Sequence, residues 1–421
     1  KLQRGQYYVS NEVPSLLDLA VDVVANNFEL YPSLEGLKPR VVDSVVDKLS
    51  LSLPMSVAAP YIHHESYWKR ACEKRWKIVK PDEHGWSWKQ AYIERHTEEL
   101  LEKWPTDGDF KVLAKELHAC KSYLFFLNIN QLPSRIDLRL IFHNVSTLTA
   151  LRLTYGARHL GVEYERGVFG MQMADAASLV ECIRLSTCLV SLSLPCNLLD
   201  DDLLKMLLSG LVANKTLREL DLSHNRVGDQ GARRLAKYLL RTDVLAKLDL
   251  GDNMIRYEGS RCIGQALRSN SSLSVLSLKH NRLDDASGAK LFNDLQQNRG
   301  LIDLNLSANQ LASRTVSKLA ELLSSECVLE RLDISCNKLL DNEAEDVVRD
   351  DMLRNLDSLR TSLHANTTLS NIDLRSCGLP KSLERELTEA VIKRDLDRRR
   401  IPLYRTITPA SDPSRKNSVS K

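Results

Sequence analysis

Long apolar runs are missing from this chain. No stretch approaches the roughly 20 residues that a membrane-spanning helix needs, and the most apolar segments, such as Leu124 to Ile129, are only strand-length. An excess of one charge is missing too: 58 Lys and Arg stand against 55 Asp and Glu, a net +3 that argues for no nucleic-acid ligand. The nine cysteines include no C-x-x-C pair, a pattern that predicts reduced thiols in an intracellular protein. No G-x-x-x-x-G-K-S/T phosphate loop, G-x-S-x-G elbow or H-E-x-x-H pair is present. No catalytic, cofactor-binding or metal-ligating residues are therefore expected, and neither a membrane nor nucleic acid is expected as partner.

What remains is ample for folding. The chain has 421 residues, of which 43% are hydrophobic and 27% charged, enough for two or three ordinary domains or for one repeat array with an added module. It opens on Lys1 rather than methionine, so residues before it are expected.

Asparagines at 197, 225, 253, 281, 309 and 337 recur every 28 residues. Each sits in the pattern L-x-x-L-x-L-x-x-N-x-L, as in Leu217, Leu220, Leu222, Asn225 and Val227. This is a leucine-rich repeat of the long kind. It predicts an α/β solenoid, ribonuclease-inhibitor-like, with short parallel strands inside and amphipathic helices outside. Strands stack about 4.8 Å apart and helices about 8–10 Å, so the array is expected to curve. The ladder asparagines are expected to satisfy backbone groups where the chain leaves each strand.

Weaker copies at Leu124-Leu127-Ile129-Leu132, Leu148-Leu151-Leu153, Leu189-Leu192-Leu194 and Leu369-Ile372-Leu374-Cys377 bring the count to about nine repeats. Two intervals are stretched, with inserts near Arg158 to Ala174 and near Asp341 to Asp357. An insert in such an array carries partner contacts or simply lengthens a helix. N-x-S/T sequons include Asn144, Asn214, Asn270 and Asn366; three of these fall just before a repeat begins, where polar loop residues are expected anyway.

Residues 1–120 carry no repeat and read as a helical domain, followed by the solenoid with a C-terminal cap helix at 121–400 and a basic, Pro- and Ser-containing tail at 401–421. All five tryptophans lie between Trp68 and Trp104. Trp68, Arg70, Trp76 and Trp88 are the N-terminal docking candidates. Their alternation with positive charge suits a nucleic-acid stacking platform, but tryptophan at helical spacing is more often a small core under solvated cations. The basic tail suits an acidic partner such as a tubulin surface.

On the inner strand face the side chain after the central leucine is Asp221, Asp249, Asn305, Asp333 or Asp373, flanked by Lys247, Lys279, Arg331 and Arg375. These nine are the candidate partner-binding residues. The competing reading, that Leu-Asp-Leu-Ser is simply how this repeat is written, is favoured. His224 and His280 stand two repeats apart, about 10 Å by strand spacing, too far to share a metal.

The run Val13-Pro14-Ser15-Leu16-Leu17, Tyr31-Pro32-Ser33-Leu34, Tyr67-Trp68-Lys69-Arg70 with Arg75-Trp76, and Ser87-Trp88-Lys89 resembles the T-complex-associated testis-expressed protein 1 family. Tyr155-Gly156, Leu220 through Asn225 and Gly228 through Arg233 continue the likeness. The insert around Asp341 and the short loop between Leu132 and Leu148 depart from it. The resemblance implies a non-enzymatic scaffold subunit of the nexin–dynein regulatory complex in the axoneme of cilia and flagella. That complex links outer doublet microtubules and regulates inner-arm dynein. Implied partners are other subunits of the complex, both coiled-coil and linker proteins, with tubulin of the doublet and inner-arm dynein beyond them.

Two other readings compete. One is an F-box-like ubiquitin-ligase substrate adaptor, although 54 residues from Pro14 to Trp68 exceed that module's spacing. The other is a GTPase-activating protein, for which no arginine or asparagine is singled out.

Overall fold

The computed structural model describes residues 15–156, 169–340 and 346–400, which form two compact units, Lys1–Arg226 and Val227–Lys421. Among the described residues the first unit opens with six α-helices: α1 (Leu16–Asn26), α2 (Pro39–Lys48), α3 (Met55–Tyr61), α4 (Glu65–Arg75), α5 (Trp88–Glu102) and α6 (Phe110–Cys120). Ser15 starts α1 through a capping box, its hydroxyl accepting from the Asp18 amide at 3.1 Å while Asp18 accepts from the Ser15 amide. Four strands follow, β1 (Phe126–Leu132), β2 (Ala150–Tyr155), β3 (Ser191–Ser193) and β4 (Glu219–Asp221), separated by helices α7 (Leu138–Asn144), α8 (Met173–Leu185) and α9 (Asp201–Leu211). They pair in parallel in sequence order, with Leu127 opposite Leu151, Leu151 opposite Leu192 and Leu192 opposite Leu220.

The second unit alternates α10 (Asp229–Leu239), β5 (Lys247–Asp249), α11 (Tyr257–Leu267), β6 (Val275–Ser277), α12 (Asp285–Leu295), β7 (Asp303–Asn305), α13 (Ser313–Ser324), β8 (Arg331–Asp333), α14 (Asp346–Ala365), β9 (Asn371–Asp373) and α15 (Lys381–Arg400). Its five strands are parallel and in register, Leu248 to Leu276 to Leu304 to Leu332 to Ile372. The fold is thus the α/β leucine-rich-repeat solenoid that the period predicts. The insert near Arg158 lies largely outside the described residues, as do the tail 401–421 and residues 341–345; from Asp346 onward the second insert is the helix α14, 20 residues long.

Two asparagine columns hold the repeats together. Asn309 is representative of the first. Its Nδ2 donates to the carbonyls of Leu278 and Leu306, both at 3.0 Å, and its Oδ1 accepts the amides of Asn281 and Leu283 at 3.1 and 3.2 Å. The residue before each ladder position is left-handed: Cys196, His224, Asp252, His280, Ala308, Cys336 and Ser376 have φ between +51° and +59°. That conformation is uncommon for non-glycine residues. Here it swings the chain out of the strand and turns the next side chain inward. Cys377 fills the ladder position in the last repeat, its Sγ donating to the Ile334 carbonyl at 3.1 Å.

The second column, Asn214, Asn270, Asn298 and Asn366, works at the opposite turn. Asn270 Nδ2 donates to the Leu239 carbonyl at 2.8 Å and its Oδ1 caps the Leu273 amide at 2.9 Å. Three of these are the sequon asparagines, and all four are buried. A buried, hydrogen-bonded amide has no room for a glycan, so their residue type is explained by the turn.

Helix α5 seals the free edge of β1. Glu94 Oε1 accepts the amides of Phe125 and Phe126 at 3.0 and 2.9 Å, Glu98 accepts Asn128 at 2.7 Å and Glu102 accepts Asn130 at 2.8 Å. Spaced four apart, the three carboxylates share one helix face and satisfy alternate amides of a strand. This is why residues 1–120, read from the sequence as a domain of their own, share a compact unit with β1 to β4.

Candidate functional site

The strand face of the first unit carries a polar row. Ser193 Oγ donates to Asp221 Oδ2 at 2.6 Å, and Arg152 lies 3.7 Å from the same oxygen. Burial works to raise the Asp221 carboxyl, but the bonds from Ser193 and Ser223 and the charge of Arg152 hold it below its ordinary range.

In the second unit Asp249, Asn305, Asp333 and Asp373 each accept the amide two residues on, from Gly251, Ser307, Ser335 and Arg375, at 2.8–3.0 Å. Asp221 does the same with Ser223 at 2.9 Å. This is an Asx turn, so the column forms the turn that ends each strand while also facing outward. Asn305 further donates to Asp333 at 3.0 Å, and Arg331 pairs with Asp303 at 2.8 Å. Arg375 closes on Asp373 and holds its carboxyl below the usual range. Lys247 is exposed, and the Lys279 stem lies over Gly251, where an added Cβ would come within 2.8 Å of it. The nine predicted residues therefore fall on strand faces or the turns beside them; Asp221, Asn305, Arg331 and Asp333 are paired to neighbouring strands and Asp373 to Arg375.

The N-terminal candidates separate. Trp68 is fully buried, its Nε1 donating to the Ile62 carbonyl at 2.9 Å, so it belongs to the core and not to a docking surface. Arg70 donates to the Val46 and Asp47 carbonyls at 2.5 and 2.6 Å, where it caps the end of α2. Trp76 lies between two guanidinium groups, Arg75 at 4.9 Å and Arg95 at 4.7 Å from the ring, and donates to Glu99 at 2.6 Å. Trp88 is half-buried, with the Lys69 ammonium 5.8 Å from its ring. The exposed apolar side chains here are Ile78 and Trp86, at 72% and 81%. The sequence reading passed over both; the turn residues Pro81 and Gly85 were the signal available.

Inside this unit Lys89 is buried, its ammonium 4.1 Å from the Tyr123 ring and 5.6 Å from the Trp68 ring, and burial pushes it down to about 8. Among the described residues no group of three or more His, Cys, Asp or Glu could hold a metal ion, and no helix is long and apolar enough to cross a membrane.

A family model described as Leucine Rich repeat matches residues 213–236 and 269–292. Dynein regulatory complex subunit 5 of Chlamydomonas reinhardtii is 36% identical over 198 residues, 47% of this chain and 51% of that protein. The proteins of the same name from Mus musculus and Homo sapiens are 30% identical over 242 residues, 51% of this chain and 49% and 48% of theirs. The chain thus spans about half the length of the curated relatives it matches. Among solved structures, an internalin of Listeria monocytogenes aligns at 16% identity over 70% of this chain and 84% of its own, with a TM-score of 0.31. Leiomodin-1 Actin-Binding Site 2 aligns at 17% identity over 41% of this chain and 91% of its own, with a TM-score of 0.33. The chain thus carries leucine-rich repeats and is similar, over about half its length, to proteins named dynein regulatory complex subunit 5.

Proposed function

We propose that this chain is a non-enzymatic scaffold subunit of the nexin–dynein regulatory complex in the axoneme of motile cilia and flagella. The observation that carries the reading is the 36% identity over 198 residues to a dynein regulatory complex subunit. Repeat folds of this kind present extended surfaces to other macromolecules, and the charged strand faces suit that use. On this reading the helical segment 1–120 docks onto coiled-coil subunits and the repeats gather linker components. The tail 401–421 faces acidic tubulin. The assembled complex links outer doublets and regulates inner-arm dynein.

The test is retention. The protein is expected in salt-washed axonemes, lost from them when a coiled-coil subunit of the complex is deleted, with altered beating when its own gene is deleted. A freely soluble protein, or normal beating without it, contradicts the proposal.

A further inference from the structure

Between Ser66 and Lys80 the chain carries six cations and one anion, against a near balance over the whole sequence. Lys69, Lys74, Lys77 and Lys80 are exposed there. Two of them make surface pairs, Lys69 with Glu73 at 3.9 Å and Lys80 with Glu83 at 2.8 Å; such pairs add little and exchange readily. Lys77 lines a cleft of about 350 Å³ together with Glu73, Trp76, Ile78, Val79 and Trp88, and the Lys69 ammonium lies 5.8 Å from the Trp88 ring.

The loop leading to Trp88 is strained. Gly85 and Trp86 are consecutive left-handed residues, at φ +61° and +63°. Glycine adopts this conformation freely, whereas a bulky side chain is a genuine outlier there. Trp86 gains no burial in exchange, since its side chain stands in solvent. Strain of this kind, spent on displaying a large apolar ring, is characteristic of binding sites.

We propose that this surface docks an acidic protein segment, which sets an aliphatic side chain against Ile78, Trp86 and Trp88 and its carboxylates on Lys69, Lys74, Lys77 and Lys80. The sign of the partner follows from the cations. Its class rests on Ile78 and Val79, aliphatic side chains in the cleft that suit an apolar side chain rather than a base, and on Trp76, whose ring already has guanidinium groups near it; the exposed Trp86 ring suits either, so an oligo-dT probe decides between them. Tryptophan ringed by cations is the composition of a binding hot spot. The proposal rests on the reading of the N-terminal helices as a docking module, and names the surface and the partner chemistry for it.

The test uses the purified full chain and fluorescence anisotropy with four labelled probes: a Glu/Leu amphipathic peptide, an all-Glu peptide, a Lys/Leu peptide and an oligo-dT strand. The Glu/Leu peptide is expected to bind tightest and to weaken with salt. Binding is expected to fall at least about tenfold in Trp86→Gly and in the Lys74→Glu/Lys77→Glu double variant. Trp86→Gly relieves the strained turn, so its melting temperature is expected to hold or rise while binding is lost; a structural role alone would not separate the two. Ile78→Ser, at an exposed position, serves as a second variant. Unchanged binding in Trp86→Gly and Ile78→Ser, or a Lys/Leu peptide that binds as well, overturns the proposal. Tighter binding of oligo-dT overturns it in favour of a nucleic-acid surface. These measurements need no axoneme, so their failure is distinct from failure of the scaffold reading.

Discussion

Glu98 of α5 and Asn128 of β1 are joined by a 2.7 Å bond from backbone amide to carboxylate, the middle rung of the acidic ladder that closes the first strand. Burial pushes this carboxyl up from 4.5 to about 7, with the negative charges of Glu94 and Glu102 adding to the shift and the Asn128 amide and His84 opposing it. The folded chain therefore holds this proton more tightly than the unfolded chain does. The contribution is most favourable below pH 4.5 and is lost as pH rises through about 7.

Removing the titrating group isolates that effect. From pH 5 to pH 8, urea unfolding of the native protein is expected to lose on the order of 2 kcal/mol more than that of Glu98→Gln. Parallel stability curves for the two proteins would show that Glu98 does not titrate in this window.

Asn309 supports the ladder through bonds to two repeats. Asn309→Ala leaves buried carbonyls and amides without partners and is expected to cost about 3–5 kcal/mol. Asn309→Cys is expected to cost less, because Cys377 already performs the carbonyl half of the role. Equal losses in denaturant titrations of the two variants would contradict the account.

Gly259 stands where a Cβ would come within 2.6 Å of Asp229 Oδ1 and 2.9 Å of the Ala232 Cβ. Asp229 Oδ1 caps the amides of Arg256 and Gly259 at 2.8 and 2.9 Å, so helix α10 supplies the N-terminal acceptor of helix α11. Alanine is the better helix former, yet Gly259→Ala is expected to destabilise by about 1–3 kcal/mol through overpacking. A gain in thermal stability would show that the helices part without cost.

Ala308 is left-handed at φ +54°. Ala308→Gly is expected to hold or raise stability by up to about 1 kcal/mol, while Ala308→Val, β-branched at a positive φ, is expected to lower it by about 2 kcal/mol. Calorimetry on the pair checks the sign of each.

The repeats were legible because a period of 28 residues imposes one geometry many times over. Leu220, Leu248, Leu276 and their equivalents could only be a shared core, and Asn225 and its column only a ladder. The second column was harder to see: Asn214, Asn270 and Asn366 look like loop sequons until the turn buries them. Glu94, Glu98 and Glu102 are visible as acids four apart, but that spacing also describes a solvated helix face. Only the pairing with β1 distinguishes the two. Trp68 and Trp86 are the same residue type, and only the turn residues Pro81 and Gly85 hint at the difference; the left-handed turn at Gly85 and Trp86 is what displays the second ring.

Cross-linking mass spectrometry on intact axonemes tests the central claim most directly. The account predicts that lysines of the N-terminal surface, Lys69, Lys74 and Lys77, and of the strand face, Lys247 and Lys279, link to other subunits of the dynein regulatory complex, the two groups reaching different proteins. Recovery of this chain with no links to any subunit of that complex would contradict it.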